Sequence, residues 1–471
     1  MARLIIVSNR VGSSLKANDG GLATAILAAV ESEEVVWFGW SGEVVEDAAS
    51  APRVQRDGRL MRVLIDLRRE DYEGYYLHFA NRVLWPLAHY RVGLVEFRRE
   101  EWAAYRRVND LIAEQIAAML LPDDLVWVHD YHLIPLAAAL RRLGVANRVG
   151  FFLHIPFPAS EVLVTLPVAE ALMRALFAYD LVGLQTDADA LAFCDYVERE
   201  AEGWLSDSRT AHAYGTQVRF GAFPIGVDAA AIGVKAARAA GMPQAVRLRN
   251  SLSGRPLMIG VDRLDYSKGL IHRFAALERL FDAYPARRDA AVLQIAPPTR
   301  EEVPEYQQIR TELDAAIGRI NGRFGELDRL PVRYLNRRFR QEVLFGFYRA
   351  SRVAIVTPLR DGMNLVAKEY VASQDPTDPG VLVLSRFAGA ARQLEAATIV
   401  NPFDIDAVAE ALERALAMPL DERRERYAAM IEQLRQHGIH AWRTEFLDAL
   451  RWTDATPAIA KPGAAVGALW H

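Results

Sequence analysis

The stretch "RVAIVTPLRDGMNLVAKEY", Arg352–Tyr370, decides the fold. Its first half is a short β-branched run bounded by Pro358, which reads as a buried strand. Its second half, from Asn364, reads as a helix, with Asp361 and Gly362 at the junction. Asn is a favourable helix cap, so the first-turn N–H groups around Leu365 and Val366 point out from the strand end. Gly362 lets backbone approach a ligand closely. Asp361 and Glu369, one turn into the helix, offer carboxylates to sugar hydroxyls. Plain helix-dipole partnership explains the two acids as well, and this stretch alone leaves both readings open.

The same strand-to-helix unit recurs on either side. Downstream of "FGAFPIGVD", which ends at Asp228, come "PLMIGVD", "AAVLQIAP", "VRYLN", "GVLVLS" and "ATIVNP", each leading into a helical segment. Upstream come "RLIIVS", "VVWFGW", "DLVWVHD", "RVGFFLHI" and "LVGLQT", with amphipathic stretches between most of them. Such alternation predicts an α/β fold of parallel sheets covered by helices. Two series joined near Gly226–Asp228 predict two doubly wound, Rossmann-like domains, 1–228 and 229–439, with ligands in the cleft beyond the strand ends. Two long helical segments follow, and residues 454–471, rich in Ala, Pro and Gly, are expected to be disordered.

At 471 residues the chain exceeds what one core serves, in keeping with two domains. A net charge of −4 gives no surface for nucleic acid, so phosphate recognition must be local. The single cysteine, Cys194, excludes a disulfide framework and reads as a small buried thiol. The opening apolar run is too short for a signal peptide, and no run reaches membrane length. The expectation is a cytoplasmic protein without membrane contact.

Cations stand where phosphate would need them. In "MIGVDRLDYSKGLIHRF", Arg263 follows a strand and Lys268 opens the next helix, where a cation opposes the macrodipole unless an anion answers it. The bland alternative is a pair of surface cations beside Asp262 and Asp265. Arg10 ends the first strand, and Gly20–Gly21 lie at a helix start suited to a loop over phosphate. "GYYLHFANRVLWPLAHYR" gathers Tyr76, Trp85, His89 and Arg91. Arg300 follows a strand of the second series, so two arginines from different domains would grip one phosphate. Three motifs read as structural. "HDYH" (His129, Asp130, His132) spreads its side chains rather than gathering a metal. "DAD" at Asp187 is an acidic first helical turn, and "DID" at Asp404 has too little chain after it for a phosphatase domain.

Taken together, "SNR", "WFGWSG", "YYxxFxNxxLWPxxHYR", "VWVHDYHL", "HIPFP", "RLDYSKG" and "TPLRDGMNLVAKEYVASQ" resemble the trehalose-6-phosphate synthases, glycosyltransferase family 20, from about Arg3 to Trp452. The resemblance implies a glycosyltransferase-B fold whose last helix, about 440–453, crosses back onto the first domain. It implies a retaining transfer of glucose from UDP-glucose to glucose 6-phosphate, without a metal or other cofactor, by a homo-oligomer. Arg263 and Lys268 would clamp the diphosphate under Gly20 and Gly21, with Leu365 and Val366 near the phosphates. Glu369 would hold the ribose, and Phe339 would sit near the uracil. Asp361, His154 and the Gly362–Asn364 backbone would position the donor glucose. Arg10, Tyr76, Trp85 and Arg300 would hold glucose 6-phosphate, with Asp130 on its hydroxyls. Glucosylglycerol-phosphate synthases and pseudo-glycosyltransferases share much of this pattern but take other acceptors. A non-catalytic paralogue would be expected to lose part of the diphosphate clamp.

Overall fold

The structure, a computed structural model, describes residues 3–11, 34–46, 51–299 and 303–452. The apolar runs form strands, and they do so as parallel strands buried on both faces, which is why they read as unbroken hydrophobic segments. In the C-terminal half these are β11 (Leu257–Val261), β12 (Ala291–Ile295), β13 (Val332–Leu335), β14 (Val353–Val356), β15 (Val381–Ser385) and β16 (Thr398–Val400). Their order in a parallel sheet is β13-β12-β11-β14-β15-β16. This is the doubly wound order, and its switch point, where a ligand crevice opens, lies between β11 and β14.

The N-terminal half contributes β1 (Leu4–Arg10), β2 (Val35–Val45), β3 (Arg53–Asp57), β4 (Leu60–Arg68) and β5 (Leu125–His129). It continues with β6 (Val149–Phe152), β7 (Leu181–Leu184), β8 (Trp204–Asp207), β9 (Thr210–Ala213) and β10 (Thr216–Ala222). The 10-stranded sheet runs β3-β4-β2-β1-β5-β6-β7-β10-β9-β8, parallel from β4 to β10 and antiparallel at both margins. Its switch point is at β1, so Arg10 and Asp130, at the ends of β1 and β5, share one crevice.

The final helix, Ile439–Arg451, packs on the N-terminal sheet. Phe446 stacks on Trp127 of β5 at 4.8 Å and fills a notch where β6 and β7 each carry a glycine. A Cβ on Gly150 or Gly183 would stand 2.9 or 2.7 Å from that ring. Arg219 of β10 fixes the helix end through Ala449 O at 2.8 Å. None of the helices among the described residues is long and apolar enough to cross a membrane.

Candidate active site

The strand ends of the C-terminal sheet are braced from below. Arg273, 1% exposed on the helix Leu270–Ala283, donates to Asp262 beyond β11, to Gln294 of β12 at 2.9 Å and to Thr357 beyond β14 at 3.0 Å. This guanidinium takes up Asp262, while Asp265 caps the Ser267 amide. Arg263 therefore pairs with neither acid. It is exposed, makes no ion pair with any described residue, and lies over the ring of Trp85 at 5.2 Å.

Across the switch point Lys268 meets Asp361, Nζ to Oδ2 2.6 Å, with 11% and 14% of the side chains exposed. Burial pushes the Asp361 carboxyl up, but the Lys268 ammonium outweighs this and holds it below the ordinary range. Asn364 caps the helix Leu365–Ser373 by accepting from the Ala367 amide, as the sequence predicts, and its Nδ2 donates to the same Asp361 oxygen at 3.0 Å. Leu365 and Val366 open that helix, half-buried. Glu369, one turn on and 7% exposed, accepts from Gln341 at 2.8 Å. Burial raises its carboxyl to about 7. Phe339, two residues before Gln341, packs edge-on against Phe347 and under Arg337.

The facing wall belongs to the N-terminal sheet. Trp37 and Tyr75 hold the "SNR" end of β1 through Ser8 and Asn9, at 2.9 and 2.8 Å, which presents Arg10 beside Trp40. Tyr76 lies on the π-helical segment Tyr72–Leu84, and its ring stacks on His132. Trp85 opens the short helix that follows, 4% exposed. His89 donates Nδ1–H to Trp85 O at 2.7 Å, and burial lowers it to about 4, so it stays neutral.

Asp130 adopts φ 78° and ψ 163°, a region that belongs almost to glycine alone. Strain of about 1–3 kcal/mol at such a residue marks functional sites more often than accidents. Its Oδ1 accepts the His154 amide at 3.2 Å. The His154 ring bonds His129 Nδ1 at 3.0 Å, and His154 O lies where a Cβ on Gly362 would be, 2.0 Å away. Glycine is thus required at 362 by the approach of the two walls.

Of the residues singled out from sequence, Gly20, Gly21 and Arg300 lie outside the described residues. The rest lie among the described residues, with Arg10 and Asp130 at the ends of β1 and β5 and Arg263, Lys268 and Asp361 beyond β11 and β14. Reading the sequence missed Arg360. Its guanidinium leaves the C-terminal half, lies 3.9 Å over Tyr90, and donates to Ala88 O at 3.0 Å and Phe157 O at 2.9 Å. Asp189, from "DAD", accepts the Phe157 amide at 2.9 Å after Thr186 caps its helix. Gln341 was missed as well, because a lone Gln carries no pattern, and His129 was weighed only within "HDYH", as a structural residue. Among the described residues no three His, Cys, Asp or Glu side chains gather as a metal site.

The model of glycosyltransferase family 20 matches residues 4–451. A trehalose-6-phosphate synthase of Sinorhizobium fredii is 49% identical over 456 residues, covering 96% of this chain and 98% of that protein. The crystal structure of a UDP-forming α,α-trehalose-phosphate synthase from Burkholderia xenovorans, in complex with glucose-6-phosphate, superposes with a TM-score of 0.94. It is 48% identical, over 96% of this chain and all (100%) of that one. A structure from E. coli bound with UDP-2-fluoro glucose gives 0.91 at 44% identity, covering 96% of this chain and 100% of its own. With matches that run nearly end to end, and a double-sheet cleft to go with them, the chain belongs to glycosyltransferase family 20.

Proposed function

We propose that this chain transfers glucose from UDP-glucose to glucose 6-phosphate, giving α,α-trehalose 6-phosphate and UDP. The observation that carries the reading is the meeting of Arg263, at the β11–β14 switch point, with Trp85 from the facing wall. A cation for a leaving diphosphate stands there against an aromatic for an incoming sugar, and relatives bind glucose-6-phosphate and UDP-2-fluoro glucose.

In the reaction the glucose C1–O bond to the diphosphate breaks, and a C1–O bond to the acceptor hydroxyl forms on the same face. The acceptor proton passes to the departing phosphate oxygen, so the α configuration is kept. Arg263 and Lys268, with the first-turn amides near Leu365 and Val366, stabilise the charge that develops on UDP. Asp361 and His154 orient the donor glucose, and Glu369 holds the ribose. Arg10, Tyr76 and Trp85 seat the acceptor, with Asp130 on its hydroxyls. Gly20 and Gly21, by the family resemblance, would bind the diphosphate and Arg300 the acceptor phosphate. The ammonium and guanidinium take the charge-neutralising part, so no metal is needed. The same reading makes it a cytoplasmic enzyme.

The test is a product-identified assay offering UDP-, ADP- and GDP-glucose against glucose 6-phosphate or glycerol 3-phosphate, with and without EDTA. Trehalose 6-phosphate from UDP-glucose, undiminished by chelator, is the expected outcome. Product formed only on glycerol 3-phosphate, or turnover abolished by EDTA, would overturn the reading.

A further inference from the structure

His129 ends β5 with its ring wholly buried, 0% exposed, and its Nδ1 lies 3.0 Å from Nε2 of His154. Burial lowers both imidazoles, His154 to about 3, so both are neutral and one proton lies between these two nitrogens. Which ring supplies it is decided at the far side of His129. Its Nε2 is buried without a hydrogen-bond partner among the described residues. Besides His154, the rings packed on the His129 imidazole are Trp127, Trp442 and Phe152, with centroids 4.5, 6.3 and 6.4 Å from its own. The only polar side-chain groups on those three rings are indole N–H donors, which cannot accept a proton. An orphaned buried N–H is rarer and costlier than an unused lone pair. His129 therefore carries its proton on Nδ1 and donates to His154 Nε2. A neutral His154 must then carry its own proton on Nδ1.

We infer that His129 is a positioning residue that holds His154 in the Nδ1–H tautomer, so that the site offers the donor sugar a hydrogen-bond donor at this point and not an acceptor. The effect on catalysis rests on the placing of His154 beside the donor glucose under Proposed function. The tautomer itself does not. The chain of contacts begins outside the cleft, at Trp442 of the final helix, which packs on both histidines.

The experiment is long-range 15N–1H NMR on the full-length protein carrying ring-15N histidine, with His154 assigned from its loss in His154→Asn. In the wild type, His154 should show a protonated Nδ1 and a pyridine-like Nε2. A protonated Nε2 would overturn the proposal whatever the kinetics. His129→Leu removes the donated hydrogen bond and should raise the UDP-glucose KM about tenfold while leaving inhibition by UDP within about twofold. His129→Asn, whose amide can place an N–H near the Nδ1 position, should recover most of the loss. Equal losses in both variants, with UDP inhibition weakened in parallel, would mean a structural role only and would also overturn it. If instead the wild-type tautomer is as stated but His154→Phe leaves the UDP-glucose KM unchanged, the placing of His154 at the sugar fails and the tautomer stands.

Discussion

The guanidinium of Arg263 lies over the indole of Trp85, 5.2 Å from its centroid, and the contact joins the residues beyond β11 to the short helix Trp85–Ala88 of the N-terminal half. Under the proposed function the two residues serve different substrates, so the contact would couple the two sites. Trp85→Leu is expected to raise the KM of both UDP-glucose and glucose 6-phosphate by about three- to thirtyfold, the range of a cation–π contact. Steady-state kinetics with each substrate varied in turn would check this. A change confined to glucose 6-phosphate would uncouple the sites.

Lys268 and Asp361 form a largely enclosed pair, and removing one partner leaves the other uncompensated. Lys268→Ala should lower turnover about ten- to a hundredfold. It should also lower Tm while far-UV circular dichroism stays native. In the double variant Lys268→Met, Asp361→Asn, the Tm should recover and the activity should not. Recovery of turnover along with Tm would reduce the lysine to a structural role.

Burial raises the Glu369 carboxyl to about 7. Its folded value is raised above the ordinary carboxyl value of 4.5, so its contribution to stability is full below that value and is lost as pH rises through about 7. Ribose hydroxyls donate to the charged form, so nucleotide binding should expel a proton near neutrality and tighten as pH rises through about 7. Calorimetric titration with UDP in two buffers of different ionisation enthalpy measures that proton. The release should vanish in Glu369→Gln, and its absence from the wild type would sink the assignment.

Gly362 and Arg360 hold the walls together by different means. A methyl at 362 would overlap His154 O, so Gly362→Ala should force the walls apart and cut kcat about a hundredfold, the cost of roughly 1 Å of misplacement. Arg360→Ala leaves Ala88 O and Phe157 O without their donor, a loss of about 1–3 kcal/mol. It should raise the KM for glucose 6-phosphate more than that for UDP-glucose, since both carbonyls belong to the acceptor wall. Small-angle scattering with and without both substrates would report the separation. Unchanged profiles and kinetics in both variants would refute the pairing.

The β11–β14 crevice was legible because parallel strands are apolar on both faces and their helix starts carry polar punctuation, as at Asp361 and Asn364. The margins were not. β3, "RVQRD", is wet on both faces, and an edge strand of that kind leaves no alternation to read. Site residues were legible where charge or glycine sits at a strand end, as for Arg263, Lys268 and Gly362. Arg360 escaped notice although it stands beside Asp361, because its partners are backbone carbonyls, and these have no sequence signature. The strain at Asp130 is equally invisible in one dimension, since only φ and ψ reveal it.

Phe446 lies in the notch above Gly150 and Gly183, and this has a consequence for biogenesis. During synthesis the amino-terminal sheet leaves the ribosome before Phe446 is available to fill that notch. Its closure waits until residue 446 has been translated, about 260–300 residues after Gly183 and Gly150, a long loop to shut and a slow step by the ordinary dependence of folding rate on chain separation. Premature termination before codon 446 should therefore yield not half an enzyme but an aggregation-prone fragment.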